Sequence, residues 1–90
     1  MRPTKTATYL KNAIETSGLT QREIARRAGF ETPNMISMMK TGDTKVPIDR
    51  IPALADALGV SAFAFLRTAM LEYQPEVWDV LTKALGGLLT

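Results

Sequence analysis

The side chains of this sequence that could do chemistry cluster between Thr20 and Lys45, and they are hydrogen-bond donors and fixed cations rather than nucleophiles. Gln21, Arg22, Arg26, Asn34, Ser37, Lys40 and Lys45 together suit the holding of an anionic, hydrogen-bonding partner. Other chemistries have no residues to run on. The 90 residues contain no Cys and no His, which removes Cys/His zinc sites, thiolate and imidazole-assisted nucleophiles, the Ser-His-Asp triad and haem ligation. Paired carboxylates, a metal-binding cluster and a phosphate-cradling loop are also missing. Asp43 and Asp49 flank a loop and read as turn and helix-start residues. No enzyme, cofactor or metal is expected.

Charge supports an anionic partner for one half only. Overall, 11 Lys and Arg face 9 Asp and Glu, a net of +2. Residues 1–45 hold Arg2, Lys5, Lys11, Arg22, Arg26, Arg27, Lys40 and Lys45 against Glu15, Glu23, Glu31 and Asp43. Residues 46–90 lean acidic instead. Ordinary surface variation would also give such an imbalance. Hydrophobic content of 46% is that of a folded domain. A chain this short buries only a little over roughly 60% of its unfolded surface, so the core is thin. No apolar run reaches the length of a membrane span, and no signal-peptide pattern opens the chain. The default is a cytoplasmic protein.

The elements that must position these residues are helices. No segment alternates apolar and polar residues as a strand would. The expected fold class is all-α, a bundle of five to six short helices. The first is expected over about Thr6 to Ser17. The second opens at Thr20, where Thr20 and Glu23 form a capping box with Leu19 and Ile24 as its hydrophobic staple. It stops at Gly29. The third starts at Thr32 with Pro33 in its first position and ends at Gly42. A fourth is expected over about Ile48 to Leu58, with Pro52 tolerated in its first turn. A fifth, capped by Ser61, runs to about Glu72. A sixth runs from Pro75 to Leu85, and Gly86-Gly87 stops it.

The second and third helices meet at a tight turn. The small Ala25 lets them cross closely, and Gly29 is free to take a positive φ. Ile24, Ala28, Phe30, Ile36 and Met39 are placed to pack between these helices and onto the first. This is the pattern of a helix-turn-helix, whose second helix enters the DNA major groove.

The run Gln21-Arg22-Glu23-Ile24-Ala25-Arg26-Arg27-Ala28-Gly29-Phe30, followed by Ile36-Ser37 and Gly42, resembles the Cro-type, lambda-repressor-like helix-turn-helix family. The similarity continues through Val46-Pro47-Ile48 and Leu54-Ala55-Asp56-Ala57-Leu58-Gly59-Val60, and covers about residues 7 to 68. The resemblance implies operator binding by a two-fold homodimer that regulates transcription, in a bacterium or phage. It implies that Gln21 touches a phosphate, in keeping with the free N–H groups of a helix start. It also implies that Thr32, Pro33 and Asn34 lie nearest the base edges, with Ser37 and Met38 beside them. Asn can pair with adenine, and a Thr methyl or Pro can meet a thymine methyl. Lys40, Thr41 and Lys45 fall where family members contact the backbone, and Arg22 and Arg26 share one face of the second helix. A solvated Gln21 and a locally capping Asn34 are the plain alternatives. Arg27 has the alternative of an internal salt bridge. Arg2 and Lys5 are expected in a disordered terminus, with a basic arm on DNA as the alternative. The sequence departs from the family by one extra residue in the turn, near Glu31-Thr32-Pro33. The register of the third helix stays open at this point.

Residues 1–70 are thus read as the DNA-binding unit of a single globular domain and 71–90 as a helical extension. Val77, Trp78, Val80, Leu81, Ala84, Leu85, Leu88 and Leu89 give this extension an apolar surface too wide for one contact. Part of it can cover the core. The rest suggests self-association, with Val77, Trp78, Leu81, Leu85 and Leu88 as dimer-interface candidates and Phe63, Met70 and Tyr73 beside them. Packing within a monomer is the plain alternative. An antitoxin that docks a toxin through this segment and represses its own operon is the runner-up function. A protein-interaction module without DNA binding is a third.

Overall fold

The computed structural model describes residues 4–89, with Leu89 described by its backbone alone, and Arg2 lies outside the described residues. It is all-helical among those residues. Helix α1 spans Lys5–Ser17, α2 Gln21–Ala28, α3 Pro33–Thr41, α4 Ile51–Leu58, α5 Ala62–Tyr73 and α6 Pro75–Leu85. Short 3-10 turns precede α4 (Ile48–Arg50) and follow α6 (Gly86–Leu89).

Local chemistry sets most starts. Thr4 caps α1 by accepting from the Ala7 N–H at 3.1 Å. The helix therefore begins one residue before the expected Thr6, and Lys5 is helical rather than part of a loose terminus. A second α1 donor, the Thr6 N–H, reaches the Glu72 carboxylate of α5 at 2.9 Å. The hydroxyl of Ser61 caps α5 through the Ala64 N–H at 3.1 Å. Pro33 opens α3 at its first turn as expected.

Three expectations need correction. Only half of the capping box forms. Thr20 accepts from the Glu23 N–H at 3.1 Å, but the Glu23 carboxylate turns to Arg26 and Arg27. Three charge-assisted bonds from two arginines outcompete one backbone N–H. The expected helix from Ile48 to Leu58 opens as a 3-10 turn, and its α-helical part starts only at Ile51. Pro52 has no N–H, and its ring would strike the carbonyl four residues back, so the α-helical ladder begins anew after a 3-10 turn. Gly86-Gly87 ends the α-helix but not the coiling, which persists as 3-10 to Leu89.

The core lies where α1 to α5 converge. Leu10, Ile24, Ile36, Ile51, Leu54 and Phe65 are fully buried there, joined by Ala25, Ala28, Phe30 and Met39. Leu19 and Val60 pack against this core from just outside their helices, as staples do. Tyr9 and Phe65 bring α1 and α5 together, with ring centroids 5.0 Å apart. Helix α6 is attached to the rest through α5. Trp78 is its one buried residue and packs near Phe63 at 6.1 Å between centroids. None of the described helices is long and apolar enough to cross a membrane.

Candidate nucleic-acid interface

The two helices that carry the candidate residues are held at a fixed crossing. Ala25 is 2% exposed on the inner face of α2, and Ile36 and Met39 point inward from α3. Gly29 takes φ +80°, and the Phe30 N–H returns to the Ala25 carbonyl at 2.8 Å. A side chain at Gly29 would be strained by that φ. The connection runs from Gly29 to Thr32, and α3 begins at Pro33.

With Ile36 and Met39 inward, the opposite side of α3 is left to solvent. Thr32, Pro33 and Asn34 are exposed, and Ser37 and Met38 are half-buried. Thr32 stands at the N-cap but makes no side-chain cap bond, so its hydroxyl is uncommitted to the helix. Asn34 does not cap the turn either. Its Nδ2 lies 3.5 Å from the Met38 sulfur, which brings these two candidates together on one side of the helix. Met35 is also exposed, whereas Met39 fills the core.

The flanking candidates are placed unequally. Gln21 is half-buried in the first turn of α2, among the free N–H groups of that helix start. Arg22 is exposed and forms no ion pair among the described residues. Arg26 is exposed but paired, with Nη2 3.0 Å from Glu23 Oε1. Arg27 donates to the same oxygen at 3.0 Å, the internal salt bridge weighed as its alternative role. Hydrogen bonds from Arg27 and the charge of Arg26 hold the Glu23 carboxyl below the ordinary carboxylate range. Beyond α3, Lys40 is half-buried and Lys45 exposed. The Thr41 hydroxyl is already engaged, 3.1 Å from the Met38 carbonyl and 3.0 Å from the Asp43 carboxylate. Its alcohol and the adjacent carboxylate make Thr41 a weaker partner for a phosphate than either lysine.

Two residues hold the segments that flank α3: Arg50, which the sequence did not single out, and Tyr73, read there only beside the dimer-interface candidates. Arg50 Nη1 donates to the Gly29 carbonyl at 3.1 Å and lies 3.5 Å from that of Ala28. The Tyr73 hydroxyl accepts from the Val46 N–H at 3.0 Å, and Lys45 Nζ sits 5.3 Å from the Tyr73 ring centre. The hydrogen bonds among these contacts span 21 to 27 residues, so no local pattern announces them.

At the other end of the molecule, the α6 candidates divide. Val77, Leu81, Leu85 and Leu88 are exposed, together with Val80. Trp78 and Met70 are buried within the chain, and Tyr73 is half-buried against the core. Trp78 and Met70 therefore belong to intrachain packing rather than to an outward surface, Trp78 against Phe63 of α5.

A short helix crossing another at a glycine turn, with its outer face free, defines a helix-turn-helix DNA-binding domain. Residues 10–65 match the Helix-turn-helix family of the lambda-repressor/Cro type, and the chain belongs to that family. It is a DNA-binding transcription regulator of that type, and its partner is double-stranded DNA. No curated protein matches the chain.

Proposed function

We propose that this protein is a cytoplasmic, sequence-specific repressor that binds a two-fold operator as a homodimer, in a bacterium or phage, and that it has no enzymatic role. The observation that carries the reading is the outer face of α3. Thr32, Pro33 and Asn34 are exposed there while Ile36 and Met39 pin the helix from behind. In this arrangement Thr32, Pro33, Asn34, Ser37 and Met38 read base edges. Gln21, Arg22, Arg26, Lys40 and Lys45 hold phosphates, with Thr41 a minor member of that set.

The homodimer rests on α6. Val77, Val80, Leu81, Leu85 and Leu88 are exposed apolar side chains of α6 and of the 3-10 turn that follows it, and together they make an uncovered apolar surface. Two copies of such a surface, related by a two-fold axis, would cover one another. A toxin-like partner seated on the same surface is the competing occupant.

Selection of duplexes from random DNA by the purified chain tests the reading. The expected product is a repeated, inverted half-site with centres about 10–10.5 base pairs apart. Affinity for it should fall steeply with salt, by about 0.9 in log–log slope for each neutralised phosphate. No enrichment, or a flat salt response, would refute the reading. Enrichment of single half-sites by a monomer would refute the homodimer and leave the surface to another protein.

A further inference from the structure

We propose that Arg50 and Tyr73 are positioning residues that set how α3 meets DNA, Arg50 by fixing its entry turn and Tyr73 by fixing its exit loop. The proposal rests on the reading that the outer face of α3 contacts bases.

Helix α3 has nine residues and no side-chain cap at its start, so it cannot hold its own geometry. Ile36 and Met39 fix its inner face, and what grips its two ends sets its remaining tilt. At the entry, the Arg50 guanidinium meets the Gly29 carbonyl at 3.1 Å and the Ala28 carbonyl at 3.5 Å. These are the closing carbonyls of α2, where the helix dipole is negative. A permanently charged, planar, multi-donor group suits that place better than an ammonium. The same guanidinium lies 5.7 Å from the centre of the Phe30 ring, and Phe30 is buried in the turn itself. A side chain at Gly29 would push the guanidinium aside. A Cβ there would stand 2.6 Å from Arg50 Nη1. The arginine therefore holds carbonyl, ring and glycine of the turn at once.

At the exit, the loop 43–47 carries Lys45, a candidate phosphate contact. The Tyr73 hydroxyl accepts from the Val46 N–H at 3.0 Å, and Val46 is 1% exposed. The ring of the same tyrosine faces the Lys45 ammonium. Thus one side chain from the end of α5 fixes both the backbone of this loop and the direction of its cation. Arg50 and Tyr73 come from different elements, and together they hold the reading helix from both sides.

The test uses the full chain and a duplex that the wild type has selected from random DNA. Affinities for that duplex and for a scrambled one are measured for Arg50→Ala, Arg50→Lys and Tyr73→Phe, with salt slopes and melting curves. Arg50→Ala and Tyr73→Phe should each weaken the selected duplex by about tenfold, equivalent to 1.4 kcal/mol. Scrambled-duplex affinity and salt slope should be unchanged. Arg50→Lys should recover part of the loss, since one ammonium can reach one carbonyl. Should Arg50→Ala fail to fold, Arg50→Lys and Tyr73→Phe carry the test.

An unchanged selected-to-scrambled ratio in folded variants would overturn the proposal. A loss that disappears on correcting for the folded fraction would also overturn it. Equal weakening on both duplexes, with the Arg50→Ala slope shallower by about 0.9, would make Arg50 a phosphate contact instead. If the wild type selects no duplex, the reading of α3 itself fails, a result distinct from all of these.

Discussion

Ile36→Ala is the sharpest probe of how α3 is held. Ile36 is fully buried on the inner face of that helix, in the cluster that includes Leu10, Ile24 and Phe65. The substitution removes three carbons, worth about 2.4 kcal/mol at roughly 0.8 kcal/mol each. Incomplete collapse of the resulting cavity places the total in the range of about 2–5 kcal/mol. A chain of 90 residues has a net stability of about 5–13 kcal/mol, so this is a large share of it. The melting midpoint should fall by at least about 8 °C, since each kcal/mol moves a domain of this size by about 4–8 °C. Asn34→Ala, on the exposed side of the same helix, should change stability by no more than about 0.5 kcal/mol. Thermal melts followed by circular dichroism, with urea titrations on both variants, measure the difference. If Ile36→Ala melted within about 3 °C of the wild type, the face assignment of α3 would be wrong.

Gly29→Ala should destabilise the fold by about 1–2 kcal/mol or more in urea titrations, because a φ of +80° suits glycine and a Cβ would strike Arg50. Val80→Asp combined with Leu88→Asp should convert a dimer to a monomer in sedimentation, and an unchanged mass would remove α6 from the interface. Glu23→Gln should free Arg26 and Arg27 and steepen the salt dependence of DNA binding by up to about 0.9 in slope per added phosphate contact; an unchanged slope would leave neither arginine on DNA. The Glu23 carboxyl titrates below its ordinary value, so its support of the fold is present above that value and is lost as pH falls through the depressed one. Urea midpoints measured from neutral to acid pH should therefore fall less in Glu23→Gln than in the wild type.

Legibility in the sequence followed the range of the interaction. Thr20 and Ser61 announce α2 and α5 because a cap bonds its own helix three residues on. Ile24, Ala28, Phe30, Ile36 and Met39 were readable as one core because helical spacing puts them on facing stripes. The exposure of Thr32, Pro33 and Asn34 followed from the same spacing. The return half of the capping box was misread because competition for Glu23 involves two arginines on the solvent face. Pro52 sits in the first turn of α4 as its position predicts, and the turn before it is 3-10. The contacts of Arg50 with Gly29 and of Tyr73 with Val46 are not legible because the partners lie far apart in sequence. Trp78 was grouped with its apolar neighbours, since an all-apolar girth does not say which stripe turns inward.

The central claim is that the outer face of α3 reads base edges, and Asn34→Ala tests it most directly. Duplex selection is repeated with this variant beside the wild type. The account predicts that one position in each half-site loses its base preference. Affinity for the wild-type duplex should weaken by about 1–3 kcal/mol, with the rest of the motif and the salt slope retained. Recovery of the same motif, with full preference at every position, would contradict it.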